Sequence, residues 1–442
     1  MNIVSKVGTK LFVIVLLNLA AISFAGCEPY DSKVTGPHEL PVADASHAGF
    51  STERLNHLTE NLEQALQEKE TPGAVALIFR DGQVVYERAF GHRTPARKNA
   101  MTTDTIFHIY SMTKPITSVA VMMLWEEGAF GLYDPIGLYL PEFKDVRVAV
   151  EDESGSSIID TVTAKRPITI QDLLRHTSGM TYGIFGQMTP VKLKYLDAGL
   201  AIDTFDGDLQ QWVEKVAQFP LAAHPGDRWE YSPSSTVLGR LVEVISGQSF
   251  ADFLKERLFE PLDMRDTDFS SPADNHDRMV EGIGLNLRGH FQELHNVATP
   301  PKLQAGDSGL VSTARDYARF AQMMLNGGEL NGVRLLSPKT VDFMTSDHLG
   351  ADIDTGPLYL PGPGYGFGLG FSVRLAQGIA ALPGSPGDYG WGGLAGTIGW
   401  IDPQERLIII LMVQDIPNLY FYQSKLKTLI YAAITRKHNI HD

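Results

Sequence analysis

One cysteine, Cys27, stands in 442 residues. An intrachain disulfide, a thiolate zinc site and an iron–sulfur cluster each need several, so all three are excluded. Basic residues are also scarce: 37 Lys and Arg face 52 Asp and Glu, a formal charge of −15. A chain so acidic has no basic footprint for a phosphate backbone, which argues against nucleic acid as its main ligand. The sequence contains no G-x-S-x-G, no H-E-x-x-H, no G-x-x-x-x-G-K-[ST] and no G-x-G-x-x-G leading into a helix. Gly364 to Gly370 is glycine-rich, but its setting is aromatic and strand-like rather than phosphate-binding. The 13 histidines are scattered without metal-ligand spacing, and the residues imply neither a metal nor an organic cofactor.

The longest apolar run is Leu11 to Ala25, broken by Asn18 and Ser23. It is shorter than the roughly 20 residues a spanning helix needs. Lys6 and Lys10 precede it and it ends Phe24-Ala25-Gly26-Cys27, the basic, apolar and small-residue order of a signal peptide. Cys27 then falls where a bacterial lipoprotein box places its lipidated cysteine. The expectation is a signal peptide over 1–26, a Pro-, Ser- and Gly-rich tether over 27–48, and an exported, lipid-anchored protein whose partners are a membrane and a small-molecule substrate.

The remainder is globular in composition, 43 % hydrophobic and 20 % charged. Leu55, Leu58, Leu62 and Leu66 recur at spacings of three and four, one face of a helix. Val75, Leu77 and Phe79 alternate before Asp81-Gly82, a hairpin signal. Ser111 to Glu127 has helical spacing, with Pro115 tolerable in the first turn. Helical segments follow at 171–174, 209–218, 237–245, 250–259 and 314–325, separated by Gly- and Pro-rich loops. Glu151 to Lys165 is polar and reads as an excursion. Strands return at 366–375, 397–401 and 407–413, and 426–434 reads as a closing helix. One domain over 49–437 is therefore expected, with an α/β part from 49–110 and 300–437 and a helical part over 111–299.

The chemical signal is Ser111-Met112-Thr113-Lys114, an S-x-x-K. In a helix this spacing puts serine and lysine on one face, and a helix N-terminus favours developing negative charge. A second match, Ser424 and Lys427, lies on a polar face of the closing helix and reads as solvated. A serine hydroxyl needs a base before it attacks, and Lys114 and Tyr231 are the candidates. The tetrahedral intermediate needs two amide donors; Ser111 supplies one, and Gly390-Trp391-Gly392-Gly393-Leu394 is a small-residue stretch able to supply the other.

These three points resemble, in this order, the serine β-lactamase and penicillin-binding protein superfamily, closest to class C β-lactamases and family VIII carboxylesterases. His176-Thr177-Ser178-Gly179, Pro225-Gly226-Asp227, Pro261-Leu262-Asp263-Met264 and Gly309-Leu310-Val311-Ser312-Thr313 extend the likeness over roughly residues 50 to 415. The resemblance implies an α/β (α+β) fold of β-lactamase/transpeptidase type: an antiparallel sheet flanked by helices, plus a helical subdomain. It implies Ser111 as acylated nucleophile, Lys114 as general base, and Tyr231 as the residue that activates Ser111 or protonates the leaving group. The amides of Ser111 and Leu394 become the oxyanion hole, and Trp391, Gly392, Gly393 and Tyr182 the substrate-binding residues.

Two departures carry information. Pro233 stands where lactamases have the asparagine of Tyr-x-Asn, and Trp391-Gly392-Gly393 stands for Lys-Thr-Gly. Both polar handles for a β-lactam are gone. The expected reaction is hydrolysis of small carboxylic esters through a Ser111 acyl-enzyme, with acyl transfer as an extension. The alternatives are a D-amino-acid peptidase or β-lactamase-type amide hydrolase, and a non-catalytic cell-envelope binding lipoprotein.

Overall fold

The computed structural model describes residues 40–438, apart from 70, 95, 97, 184, 202–204, 282, 286–290, 294–299 and 357. The signal peptide, Cys27 and the first part of the tether lie outside the described residues.

A seven-stranded antiparallel sheet is built from both ends of the chain. β1 (Gly73–Arg80) and β2 (Gln83–Gly91) come from the N-terminal side. β3 (Tyr365–Phe367), β4 (Ser372–Arg374), β5 (Tyr389–Gly392), β6 (Ile398–Asp402) and β7 (Leu407–Val413) come from the C-terminal side. The order is β3-β4-β5-β6-β7-β1-β2, and β1 joins the halves through pairs running from Ala74–Val413 to Arg80–Leu407. Both of these central strands are apolar, but for Arg80 at the end of β1, and buried along their length, as strands covered on two faces must be.

The two faces divide residue by residue. Ala74, Ala76, Ile78, Leu407, Ile409 and Leu411 meet α1 (Thr52–Glu68) and α5 (Leu419–Ala433). Val75, Leu77, Phe79, Ile408, Ile410 and Met412 meet a larger core shared with the helical region. That region includes α2 (Thr113–Glu126), α3 (Ser234–Ser246) and α4 (Ala314–Leu325). Every residue of α2 from Thr113 to Leu124 is buried, so this helix runs through the interior with no face of its own to water.

Several expectations need correction. Residues 40–48 were expected as tether, yet Val42 bridges Val84 and the Ala43 amide donates to the Val84 carbonyl at 2.9 Å. β2 is the edge of the sheet, and an edge presents unpaired backbone groups that the approaching chain covers. The polar excursion is a hairpin, Arg147–Glu151 paired with Ile158–Thr163. The single strand expected at 366–375 is a pair, β3 and β4, folded back at Gly368–Phe371. The closing helix begins at Leu419 rather than 426. Lys427, expected to be solvated, is 2 % exposed.

Candidate active site

Ser111 sits in a 3-10 turn, Tyr110–Met112, that runs into α2. Tyr110, immediately before it, has φ 44°, a left-handed conformation that costs a non-glycine residue about 1 kcal/mol. The turn is fixed by its neighbours. Phe107 and His108 pair with Ser312 and Val311, and the Ile109 amide donates to the Leu310 carbonyl at 3.1 Å. Thr117 Oγ1 donates to the Gly306 carbonyl at 2.6 Å, and the Leu310 amide donates to Thr113 Oγ1 at 3.2 Å. The chain from 306 to 312 is thus laced along the start of the nucleophile helix.

Lys114, one turn into that helix, is 1 % exposed. Its Nζ donates to Ser111 Oγ at 3.1 Å, to Tyr182 Oη at 3.1 Å and to the Asp307 carbonyl at 2.9 Å. An ammonium has three protons, and three acceptors surround this one. The Asp307 carboxylate stands 3.9 Å away. Tyr231 reaches Ser111 from the other side: its hydroxyl lies 2.7 Å from Ser111 Oγ and accepts from Trp391 Nε1 at 3.2 Å. The Lys114 ammonium is 4.6 Å from the centre of the Tyr231 ring.

Tyr182 was expected to line the cleft. Instead its hydroxyl donates to Asp307 Oδ2 and receives Lys114. Burial, reinforced by the Asp307 carboxylate, holds its phenol well above the ordinary tyrosine range, so it stays protonated and keeps its hydroxyl donating to Asp307. The two tyrosines around Lys114 are therefore inequivalent, and only Tyr231 touches Ser111. Asp307 is itself buried, with Thr236 Oγ1 donating to Oδ1 at 2.8 Å. Burial and the nearby Lys114 cation keep His176 well below its usual range, and the neutral ring packs edge-on against Tyr231, 5.1 Å between centres.

A cleft of about 290 Å³ opens beside Ser111. Tyr231, Trp391, Gly392, Gly393 and Leu394 line it near the nucleophile; Tyr365, Ser372, Trp400 and Lys427 line it farther along. Trp391 leaves β5 on the side of Trp229, Tyr231 and Phe367. Gly392 and Gly393 are dictated by space. A Cβ on Gly392 would stand 2.6 Å from Gln423 Nε2, and one on Gly393 2.1 Å from Thr397 Oγ1 and 2.5 Å from the Ile109 carbonyl. Among the described residues the Leu394 amide has no hydrogen-bond acceptor, which leaves a donor at the cleft wall. No group of His, Cys, Asp and Glu among the described residues is arranged to hold a metal.

The structure thus brings Ser111, Lys114, Tyr231, Trp391, Gly392, Gly393 and Leu394 into one site. Asp307 was missed from the sequence. It stands just before the Gly-Leu-Val-Ser-Thr stretch, but nothing local marks an aspartate there as facing a lysine 193 positions earlier.

A half-exposed serine held by a buried lysine and a buried tyrosine beside an apolar cleft is the equipment of a serine hydrolase. The chain matches the Beta-lactamase family over residues 58–424 and belongs to it. It is 36 % identical over 360 residues to a Mycobacterium tuberculosis protein of undescribed function, covering 78 % of this chain and 86 % of that one. It is 32 % identical over 393 residues to esterase EstB of Burkholderia gladioli, covering 84 % and 92 %. The fold is shared with EstCE1, described as a hydrolase with promiscuous acyltransferase activity, at a TM-score of 0.70 and 23 % identity, over 86 % of this chain and 99 % of that one.

Proposed function

We propose that this protein is a carboxylesterase-type serine hydrolase that cleaves small esters through an acyl-enzyme on Ser111. The observation that carries it is the placement of Ser111 Oγ between Lys114 Nζ and Tyr231 Oη at the mouth of an apolar cleft. Kinship with an esterase at 32 % identity supports the ester rather than the lactam.

In the reactive form Tyr231 is a phenolate facing the Lys114 ammonium, its own proton having gone to solvent; Ser111 Oγ then attacks the ester carbonyl carbon as its proton passes to Tyr231 Oη, 2.7 Å away. With three acceptors at its Nζ, Lys114 serves best as the fixed cation facing the charge on Tyr231 and on the reacting oxygen, rather than as the base itself. The oxyanion settles between the amides of Ser111 and Leu394, where preorganised donors stabilise charge as it develops. Collapse breaks the C–O bond and returns the Tyr231 proton to the departing alcohol. Water then repeats the sequence on the acyl-enzyme, releasing acid. An alcohol in water's place gives acyl transfer by the same steps. Tyr182 and Asp307 are positioning residues that hold Lys114.

Trp391 and Pro233 sit where a lactamase of the resembled type keeps its carboxylate-facing lysine and amide-holding asparagine, which disfavours amide substrates. The N-terminal pattern supports export and lipid anchoring at Cys27. Radiolabelled palmitate incorporation, lost in Cys27→Ser, tests that part. The catalytic reading is tested on residues 28–442 with short-chain nitrophenyl esters. Turnover absent in Ser111→Ala, together with loss of fluorophosphonate labelling, is expected. Undiminished labelling of Ser111→Ala would refute it.

A further inference from the structure

The cleft does not end at the nucleophile. Gly392 of β5 lies close against α5, and the cleft wall continues from it along that helix. Gln423 faces Gly392, and Lys427 follows one turn later, about 6 Å farther along the helix axis. Lys427 lines the same cleft as Ser111 although it is 2 % exposed.

Its surroundings are built around charge. Lys427 Nζ lies 3.1 Å from Asp388 Oδ2, 3.5 Å from Tyr365 Oη and 3.8 Å from the Trp400 ring centre. Asp388 already has a full partner in Arg374, whose Nε is 2.9 Å from the same oxygen. The other carboxylate near Lys427, Asp402, is occupied by the Tyr431 hydroxyl at 2.6 Å and by the amides of Gln404 and Glu405. Two cations therefore share one directly bonded carboxylate. Three further polar atoms around Lys427 are unsatisfied among the described residues: Ser372 Oγ and Trp400 Nε1, on residues that line the cleft, and Asp388 Oδ1, the carboxylate oxygen turned away from both cations. Buried donors without acceptors are rare in a folded protein, and here two occur beside a buried cation.

We propose that the inner end of the cleft is a carboxylate subsite, in which Lys427, with Ser372 and Trp400, receives an anionic group carried by the ester some 6 Å beyond its passage at Gly392. This rests on the ester hydrolase reading above and names its substrate class: esters with a carboxylate at the end remote from the scissile bond. The cation that the third motif lacks on β5 is supplied from α5. Burial pushes the Lys427 ammonium down to about 8 against the attraction of Asp388; it remains largely charged at neutral pH, and an incoming carboxylate compensates its desolvation. The carboxylate can belong to the acyl chain or to the alcohol, and the two substrate pairs below tell which.

The test compares kcat/KM for two matched pairs. One pair is nitrophenyl hexanoate and the mono-nitrophenyl ester of hexanedioic acid. The other is the acetyl ester of hexanol and that of 6-hydroxyhexanoic acid, followed by acid release. Lys427→Met is expected to lower kcat/KM at least tenfold for the carboxylated member of one pair, with its methyl-terminated partner changed less than about threefold; the pair that responds assigns the side. Ser372→Ala, which breaks no hydrogen bond, is expected to lower the same member severalfold without loss of thermal stability. Equal effects on both members of each pair, or none in either variant, overturn the subsite. If wild type hydrolyses no member of either pair, the esterase reading has failed instead.

Discussion

Replacing Gly393 by alanine tests how tightly the site depends on β5 standing against the nucleophile turn. Carbon and oxygen in ordinary contact keep about 3.4 Å apart, near the separation where dispersion is best. The new methyl would meet Thr397 Oγ1 at 2.1 Å and the Ile109 carbonyl at 2.5 Å. The first neighbour is a side chain that can rotate. The second is backbone, two residues before Ser111, and cannot. Relief therefore requires the Gly393–Leu394 segment to retreat from the Ser111 turn by roughly 1 Å, carrying the Leu394 amide with it. Displacement of that size costs on the order of a hundredfold in rate. Overpacking on this scale destabilises by about 1–3 kcal/mol, so the variant remains folded in a domain of ordinary stability. Measured with a nitrophenyl ester, Gly393→Ala should lose about a hundredfold in kcat, with a depressed but cooperative thermal transition. Adding Thr397→Ala removes only the soft contact and should not restore the rate. Wild-type kcat in Gly393→Ala would refute the geometry, and rescue by the double variant would show that the carbonyl contact is not the limiting one.

Tyr231→Phe removes the hydroxyl 2.7 Å from Ser111 Oγ and should lower kcat/KM by about 10²- to 10⁴-fold with an unchanged circular dichroism spectrum; activity within threefold of wild type would reassign the base. Tyr182→Phe takes the donor from Asp307 and one acceptor from Lys114; kcat should fall by about ten- to a hundredfold while KM holds within about twofold, and a change confined to KM would place Tyr182 among the substrate contacts after all. Asp316, at the start of α4, is raised to about 6 by burial. A carboxyl that binds its proton more tightly folded than unfolded stabilises below the unfolded value of 3.8, and that stabilisation is lost as pH rises through 6. From the size of the shift, Asp316→Asn should gain about 2 kcal/mol relative to wild type between pH 4 and pH 7, read by denaturant unfolding; a pH-independent difference would contradict the shift.

The nucleophile was legible because its neighbours in space are neighbours in sequence: Ser111 and Lys114 are one helical turn apart. Tyr231 came through the order of motifs, not through any local pattern. Asp307 and Lys427 came through neither. Asp307 faces Lys114 only because Phe107–His108 pairs with Val311–Ser312, a pairing of two residues a side that leaves no periodicity to read. Lys427 stands beside Leu426 on a helix whose apolar residues Tyr422, Leu426 and Ile430 mark one buried face. The second face is buried by Trp400 of β6, Tyr365 of β3 and Asp388 just before β5, all distant in the chain, and such burial has no signature in the helix itself. The hairpin at 147–163 was obscure for the opposite reason: in Ile158–Thr163 no residue is buried, so the alternation that marks a strand is missing.

The nucleophile helix, buried from Thr113 to Leu124, cannot open by itself. Its backbone amides exchange with solvent only when the surrounding halves come apart, which is the signature of a global rather than a local opening. Most enzymes place their reactive groups on loops that loosen before the fold does. Lys114 sits on such a helix, so its placement against Ser111 is expected to last on heating until the fold itself gives way.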